Sequence, residues 1–162
     1  AGCQWLELGI ESGSNAVLKK MNNGFTAEAV SKTLKYSAEA GLRNRTLFIT
    51  GFPNETEEDI KKSVDFIQSN RKYIHEVFLY KFVLNYGSPI YFDPEKHGVT
   101  KLKLKPFTCH SFAFEESSGL TWAQKEEQQK HSQEEMKKAV DKYIKYGNFA
   151  FHFYNKLFGR SF

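Results

Sequence analysis

Apolar and polar residues alternate from Trp5 to Glu11, which places Leu6, Leu8 and Ile10 on one face of a strand and Glu7, Gly9 and Glu11 on the other. Gly13 and Ser14 then turn the chain, and Asn15 is placed to cap a short helix running to about Met21. Thr26 reads as the N-cap of a second helix, with Glu28 in its first turn and Gly41 just past its end. A β-branched and aromatic run from about Arg45 to Phe52 predicts a second strand, broken at Gly51, Phe52 and Pro53. Thr56 begins a third helix, reaching about Lys72, with Glu57, Glu58 and Asp59 in its first turn. A third strand, Val77 to Leu84, ends in the turn-forming series Asn85, Tyr86, Gly87, Ser88 and Pro89.

Strand, helix, strand, helix, strand with short connections predicts a parallel sheet with right-handed crossovers. A face carrying Glu7 and Glu11 suits a polar barrel lumen better than a helix-covered layer. The first strand starts almost at residue 1, so the chain is expected to begin inside a domain. An edge cut in this way along Trp5 to Glu11 calls for cover, either from the segment Leu102 to Phe114 folded back over the edge or the lumen, or from a second copy paired through it in a homo-oligomer.

Beyond Phe92 the pattern changes. Pro94, Gly98, Pro106 and Gly119 punctuate an irregular stretch in which Leu102 and Leu104, then Phe112 and Phe114, suggest one or two short strands. From Thr121 the sequence turns helical as far as Gly147, and the capping-box spacing of Ser132 and Glu135 marks either a break or a position within one long helix. Phe149, Phe153 and Leu157 then form a helical stripe expected to pack back on the core. The expected division is a strand-helix part over residues 1–92 and an irregular, then helical, extension over 93–162.

With 162 residues and 40% hydrophobic content, the chain suits one core with an appendage. No stretch approaches the roughly 18 uncharged apolar residues of a membrane span. The net charge of +4 is spread among carboxylates rather than gathered into a basic stripe, which argues against nucleic-acid binding. Two cysteines, Cys3 and Cys109, are too few for a disulfide framework, so a reducing, cytoplasmic setting is the default. Cys109 beside His110 offers two metal ligands without partners, and the expected reading is a buried thiol next to a surface imidazole. Aromatic residues reach 15% of the chain, and rings in that number need burial.

Three ordered segments carry a family resemblance: LELGIESGS with VLKKMNNGFT, then FITGFPNETEED, then FVLNYGSPIY. Together they resemble the second half of the radical S-adenosylmethionine (radical SAM) core, most like the branch with a cobalamin-binding domain. The resemblance covers Trp5 to about Tyr91. It implies an α/β fold, a partial parallel barrel in which these are the last three of six strand-helix units. It also implies S-adenosylmethionine and a 4Fe-4S cluster in the full-length parent, and cobalamin if the branch holds. Three thiolates are needed to hold such a cluster with one iron open, and this chain has no such motif. The expected role is therefore a fragment that contributes barrel wall and part of a cofactor and small-molecule substrate pocket, inactive alone and partnered by the missing N-terminal half.

Barrel enzymes place chemistry at the C-terminal ends of strands. That rule selects Glu11 and Ser12 after the first strand, the turn at Gly51, and Asn85 after the third. The resemblance makes Glu11 a contact to the methionine or ribose part of the cofactor, and Asn23 stands where relatives carry a cation for its carboxylate. Lys81 is the lysine that would pair with Glu11 if that carboxylate were only a lumen charge. Cofactor-binding candidates are thus Glu11, Ser12, Asn23, Lys81 and Asn85, with no metal ligand. Phe82, Val83 and Leu84 are either an adenine wall or plain core. On the second strand, Thr46 and Thr50 look like the polar face while the family's contact falls at Leu47, and the register stays open. Two other readings stand beside the enzyme fragment: a non-catalytic binding or assembly module, favoured by the aromatic C-terminal segment, and a nucleic-acid (tRNA) binder.

Overall fold

The computed structural model describes residues 2–106, 108–140 and 144–146. Strand β1 (Trp5–Glu11), helices α1 (Asn15–Lys20) and α2 (Ala27–Glu39), strand β2 (Arg43–Thr50), helix α3 (Glu57–Ser69) and strand β3 (Glu76–Lys81) form the strand-helix part. Two residues, Leu84–Asn85, make β4, followed by the single-turn helix α4 (Pro89–Phe92) and a 3-10 turn, Glu95–His97. Strands β5 (Val99–Leu104) and β6 (Ser111–Glu116) precede helix α5 (Trp122–Ala139) and the two-residue strand β7 (Lys145–Tyr146). The aromatic stripe from Phe149 and the predicted helix end at Gly147 lie outside the described residues.

The first sheet has the order β1-β2-β3-β7 with every pair parallel, as the predicted crossovers require. Its strand alternation sorts residues between two faces. Ile10, Phe48 and Val77 are buried beneath the helices with Leu18, Leu34 and Ile67, and Leu8 packs against that cluster. Each fully buried side chain of this kind stabilises the fold by roughly 1.5–3 kcal/mol. On the opposite face Arg45 joins Glu7 at 3.4 Å with Glu76, and lies over the Trp5 ring at 4.9 Å.

The register of β2 settles its two polar candidates. Thr46 and Thr50 are fully buried on the helix side, where their hydroxyls donate to Glu76 O at 3.2 Å and Tyr80 O at 3.3 Å. Leu47 and Ile49 therefore take the open face. Asn44, also fully buried, donates to Leu34 O and Tyr73 O and accepts from Ser37, tying β2 to α2 and to the turn before β3.

Helix starts follow their caps. The Thr26 hydroxyl accepts from Ala29 N, and Thr56 and Asp59 form a reciprocal capping box at α3. Burial by itself would raise the Asp59 carboxyl, but hydrogen bonds from Ser14 and Thr56 outweigh it and hold the group below its ordinary range. Asn15 does not cap its own helix: the N-cap is Ser14, and Asn15 Oδ1 instead accepts from Ala27 N at 2.8 Å, joining α1 to the start of α2.

Four expectations are corrected. The predicted strand Val77 to Leu84 is two elements, because the chain leaves the parallel sheet after Lys81 and Leu84–Asn85 pairs antiparallel with β6. Helix α3 stops at Ser69 and α5 at Ala139, each short of its expected end, and of the two readings of Ser132 the structure takes the position within one helix. The β5–β6 hairpin does not cover β1: it joins β4 in a second sheet of order β4-β6-β5. Of the one or two short strands expected from Leu102, Leu104, Phe112 and Phe114, both are present in that sheet.

This second sheet buries some of the rings, while Trp5, Phe25, Tyr36, Tyr86, Phe92, Trp122 and Tyr146 stay exposed. Val17 and Phe52 from the strand-helix part pack with Leu84, Ile90, Val99 and Phe114. Phe82 meets Phe52 edge-on at 5.2 Å and Phe114 at 5.9 Å. No helix among the described residues is long and apolar enough to cross a membrane.

Candidate functional site

At the C-terminal ends of the parallel strands lies an open cleft of about 790 Å³. Glu11 and Ile49 reach it from β1 and β2, Asn22 and Asn23 from the turn after α1, and Phe52, Phe82 and Val83 from the segments after β2 and β3. Ser88, Pro89 and Ile90 of the α4 region and Lys96 and His97 of the 3-10 turn close the far side. The volume lies in the range of small-molecule pockets, and an apolar wall with few convergent polar groups is the usual make-up of such a site.

Glu11 owes its place to a local irregularity. The pairing of β1 with β2 slips by one residue between Gly9 and Glu11, and Glu11 takes a left-handed φ of 64°. Such a bulge re-aims the side chain at a strand end. The carboxylate turns back over Gly9, with Oε1 only 2.6 Å from where a Cβ on Gly9 would stand, so the glycine keeps that space open. Burial pushes the Glu11 carboxyl above its ordinary range. A carboxyl group so placed can accept from an ammonium or hydroxyl group.

The structure brings Glu11 and Asn23 into one cleft and places the other three candidates elsewhere. Ser12 is buried against α3, where its hydroxyl accepts from Ser14 N at 3.1 Å and lies 3.3 Å from Ser63 Oγ. Lys81 is in register with Thr50, on the helix side of the sheet, so the strand pleat turns it away from Glu11, and the two form no ion pair. Asn85 belongs to β4 and accepts from Ser111 Oγ at 2.8 Å. Phe82 and Val83 line the cleft, whereas Leu84 is fully buried in the second core. Lys20, Lys96 and His97 are lining residues that the sequence does not single out, since a basic residue at a helix end or in a turn carries no pattern.

Behind the cleft wall sits a buried polar group. Lys125 Nζ pairs with Glu116 Oε1 at 2.7 Å, and both residues are almost wholly buried. The same ammonium donates to Phe52 O at 3.0 Å, and Glu116 Oε1 also accepts from Asn54 N at 3.0 Å. Glu55, 4% exposed, accepts from Gly51 N through Oε2, while its Oε1 has no partner among the described residues. Burial pushes the Glu55 carboxyl up to about 7, against the pull of the Gly51 N–H and of Lys125. Gly51 has φ of 81°, and a Cβ there would overlap Gln129 Cγ. The close approach that needs a glycine is thus made by α5.

The donor set can be tested against the groups the sequence resemblance implies. Cys3 and Cys109 are both exposed, contrary to the buried thiol expected at Cys109, and Cys3 precedes β1 at the end of the sheet away from the cleft. Cys109 Sγ lies 3.4 Å from His110 Nδ1, yet the described residues contain no group of three metal-ligating side chains. A 4Fe-4S cluster therefore does not fit on this chain's own residues. S-adenosylmethionine fits the cleft chemically: Glu11 and Asn23 offer polar partners to its amino-acid and ribose groups, and Ile49, Phe52 and Phe82 offer an apolar surface to a base.

Comparison with known proteins agrees with this architecture. The chain is 41% identical over 71 residues to a tRNA-2-methylthio-N(6)-dimethylallyladenosine synthase of Desulfosudis oleivorans, covering 43% of this chain and 15% of that protein. It is 33% identical over 88 residues to the ribosomal protein uS12 methylthiotransferase RimO of Flavobacterium psychrophilum, covering 53% of this chain and 20% of that protein. The chain thus spans a fifth or less of the length of these relatives. A structure of the archaeal Methanocaldococcus infernus Elp3 with an N-terminal deletion superposes with a TM-score of 0.65 at 20% identity, over 90% of this chain and 29% of that one. That likeness shows the fold, an α/β parallel sheet consistent with a partial radical SAM barrel, and it extends into the C-terminal region. The relatives are methylthiotransferases, which corrects the expected kinship with the cobalamin-binding branch. The Radical SAM superfamily model matches residues 1–67, the stretch from β1 through most of α3.

Proposed function

We propose that the chain is a fragment of a radical SAM enzyme of the methylthiotransferase kind, supplying one wall of the barrel and part of the S-adenosylmethionine and substrate cleft. The observation that carries this reading is the meeting of Glu11 and Asn23 with Phe52 and Phe82 at the C-terminal rim of the parallel sheet. Glu11 and Asn23 hold the polar groups of the ligand, and Ile49 with the two phenylalanines excludes water from its apolar part. The iron-sulfur cluster that initiates chemistry in this superfamily is supplied by a cysteine motif that these residues do not contain. The partner in this reading is the remainder of a longer parent chain, which adds a strand along the edge of β1.

The test is nuclear magnetic resonance titration of the chain with S-adenosylhomocysteine, a probe that needs no cluster. Shifts confined to Glu11, Asn23, Phe52 and Phe82, and weakened about tenfold by Glu11→Ala through loss of one charge-assisted hydrogen bond, are expected. Shifts centred on another surface, or none at millimolar probe, overturn the assignment of the cleft.

A further inference from the structure

Helix α5 is polar, yet it buries a stripe at helical spacing: Lys125, Gln129, Ser132, Met136 and Ala139. The N-terminal half of that stripe is spent on backbone carbonyls rather than on apolar packing. Gln129 Nε2 donates to Gly51 O at 3.3 Å and to Phe82 O at 3.2 Å, so one amide bridges the residues just past the ends of β2 and β3. Lys125 Nζ donates to Phe52 O, and Gln128 Nε2 donates to Glu55 O at 3.3 Å. These side chains thus clamp the segment from Gly51 to Glu55 and its neighbour at Phe82. Phe52 and Phe82 are the two rings that wall the cleft, and they touch each other edge-on.

We propose that α5 is a positioning arm for the cleft: Gln129, with Lys125 beside it, fixes the spacing of Phe52 and Phe82 and so sets which ligand the cleft accepts. The inference rests on the reading of the cleft as the cofactor and substrate site. Its physical basis is that the backbones of the segments after β2 and β3 meet in the bond from Phe82 N to Thr50 O. Past that point the side-chain amide of Gln129 bridges them, and Lys125 holds the Phe52 carbonyl beside it. Gly51 is the complement of this arrangement, because any side chain there would displace Gln129. Neither Gln129 nor Lys125 lines the cleft, so both act through the phenylalanines.

The experiment compares Gln129→Met, which keeps the side-chain length and removes the donors, with Gln133→Met, which removes a bond to Leu79 O at 3.4 Å within β3. Amide hydrogen exchange is read segment by segment, alongside S-adenosylhomocysteine affinity. In Gln129→Met, exchange over residues 51–56 and 82–84 is expected to rise about tenfold, with α2 and β1 unchanged, and affinity to fall by a similar factor. Gln133→Met is expected to do neither. Gln128→Ala, a milder change, gives a second reading, a rise of about threefold confined to residues 51–56. Uniform acceleration throughout the chain, or the same response in Gln133→Met, overturns the proposal by reducing α5 to ordinary packing. Unchanged affinity in Gln129→Met with the local exchange raised overturns the control of ligand choice while leaving the cleft assignment intact. Should the unsubstituted chain take no S-adenosylhomocysteine, the functional reading fails, and the local exchange response alone upholds or overturns the clamp.

Discussion

Replacing Glu55 by glutamine removes a carboxyl that the fold prefers to keep protonated. Its ordinary value of 4.5 is pushed up to about 7 in the folded chain by burial, the largest influence. Lys125 offsets this only in part, because its charge is already committed to Glu116 at 2.7 Å. One ammonium therefore faces two buried carboxylates, and the second is neutral when its surroundings allow. Because the folded state binds the proton more tightly than the unfolded chain, stability falls as pH rises from about 4.5 to about 7 and stays at the lower level above. A shift of this size corresponds to about 3 kcal/mol lost across that window, at roughly 1.4 kcal/mol per unit. A glutamine at this position would keep the acceptor for Gly51 N and carry no charge. Urea unfolding from pH 5 to pH 9 is the assay. Glu55→Gln should match the native chain near pH 5 and exceed it by up to about 3 kcal/mol at pH 8. Parallel pH profiles for the two proteins would refute the reasoning, since they would mean that Glu55 is solvated or that Lys125 compensates it.

Two further outcomes follow from the same geometry. Lys125→Met should destabilise the chain by about 3–5 kcal/mol in urea at pH 8, because it leaves Glu116 buried and unpaired, and a loss under about 1 kcal/mol would show that the pair is not desolvated. Gly9→Ala should leave overall stability within about 1 kcal/mol but abolish the S-adenosylhomocysteine shifts at Glu11, since a methyl group would occupy the space of its carboxylate; retained shifts in a titration would show that Glu11 is free to take another rotamer.

The strand-helix part is legible in the sequence because its signals are local. Thr26 and Thr56 cap their helices, and the alternation of Leu8, Ile10 and Glu7 fixes which face of β1 meets the helices. The third strand shows the limit of such reasoning. Phe82, Val83 and Leu84 resume the apolar run of β3 past Lys81 with no turn residue between, yet the chain changes sheets there, because Leu84 pairs with Phe112 far along the sequence. No local pattern distinguishes a strand that continues from one that is captured by another sheet. Asn15 likewise has the chemistry of a cap, and it serves as one, but for the helix after its own.

The site divides in the same way, between what a strand end announces and what tertiary approach decides. Glu11 follows from the rule that strand ends carry chemistry, but its aim depends on a bulge and on an empty position at Gly9 that no spacing rule reveals. Pairing Lys81 with Glu11 assumes that both lie in the lumen, and one step of pleat, fixed by the register of Lys81 with Thr50, puts it on the other face. Gly51 does mark a backbone turn open to close approach, although the approaching group is Gln129 from a helix 78 residues away. The buried stripe of α5 is invisible to a search for apolar periodicity, which passes over lysine and glutamine. Those residues are buried for their donors: the segment after β2 presents the carbonyls of Gly51, Phe52 and Glu55 at a strand end, and a polar helix can satisfy them where an apolar one could not. A polar stripe at helical spacing, set opposite a turn whose carbonyls have room for further donors, is thus as much a packing signal as a row of leucines, and it explains why a helix of such low hydropathy stays docked.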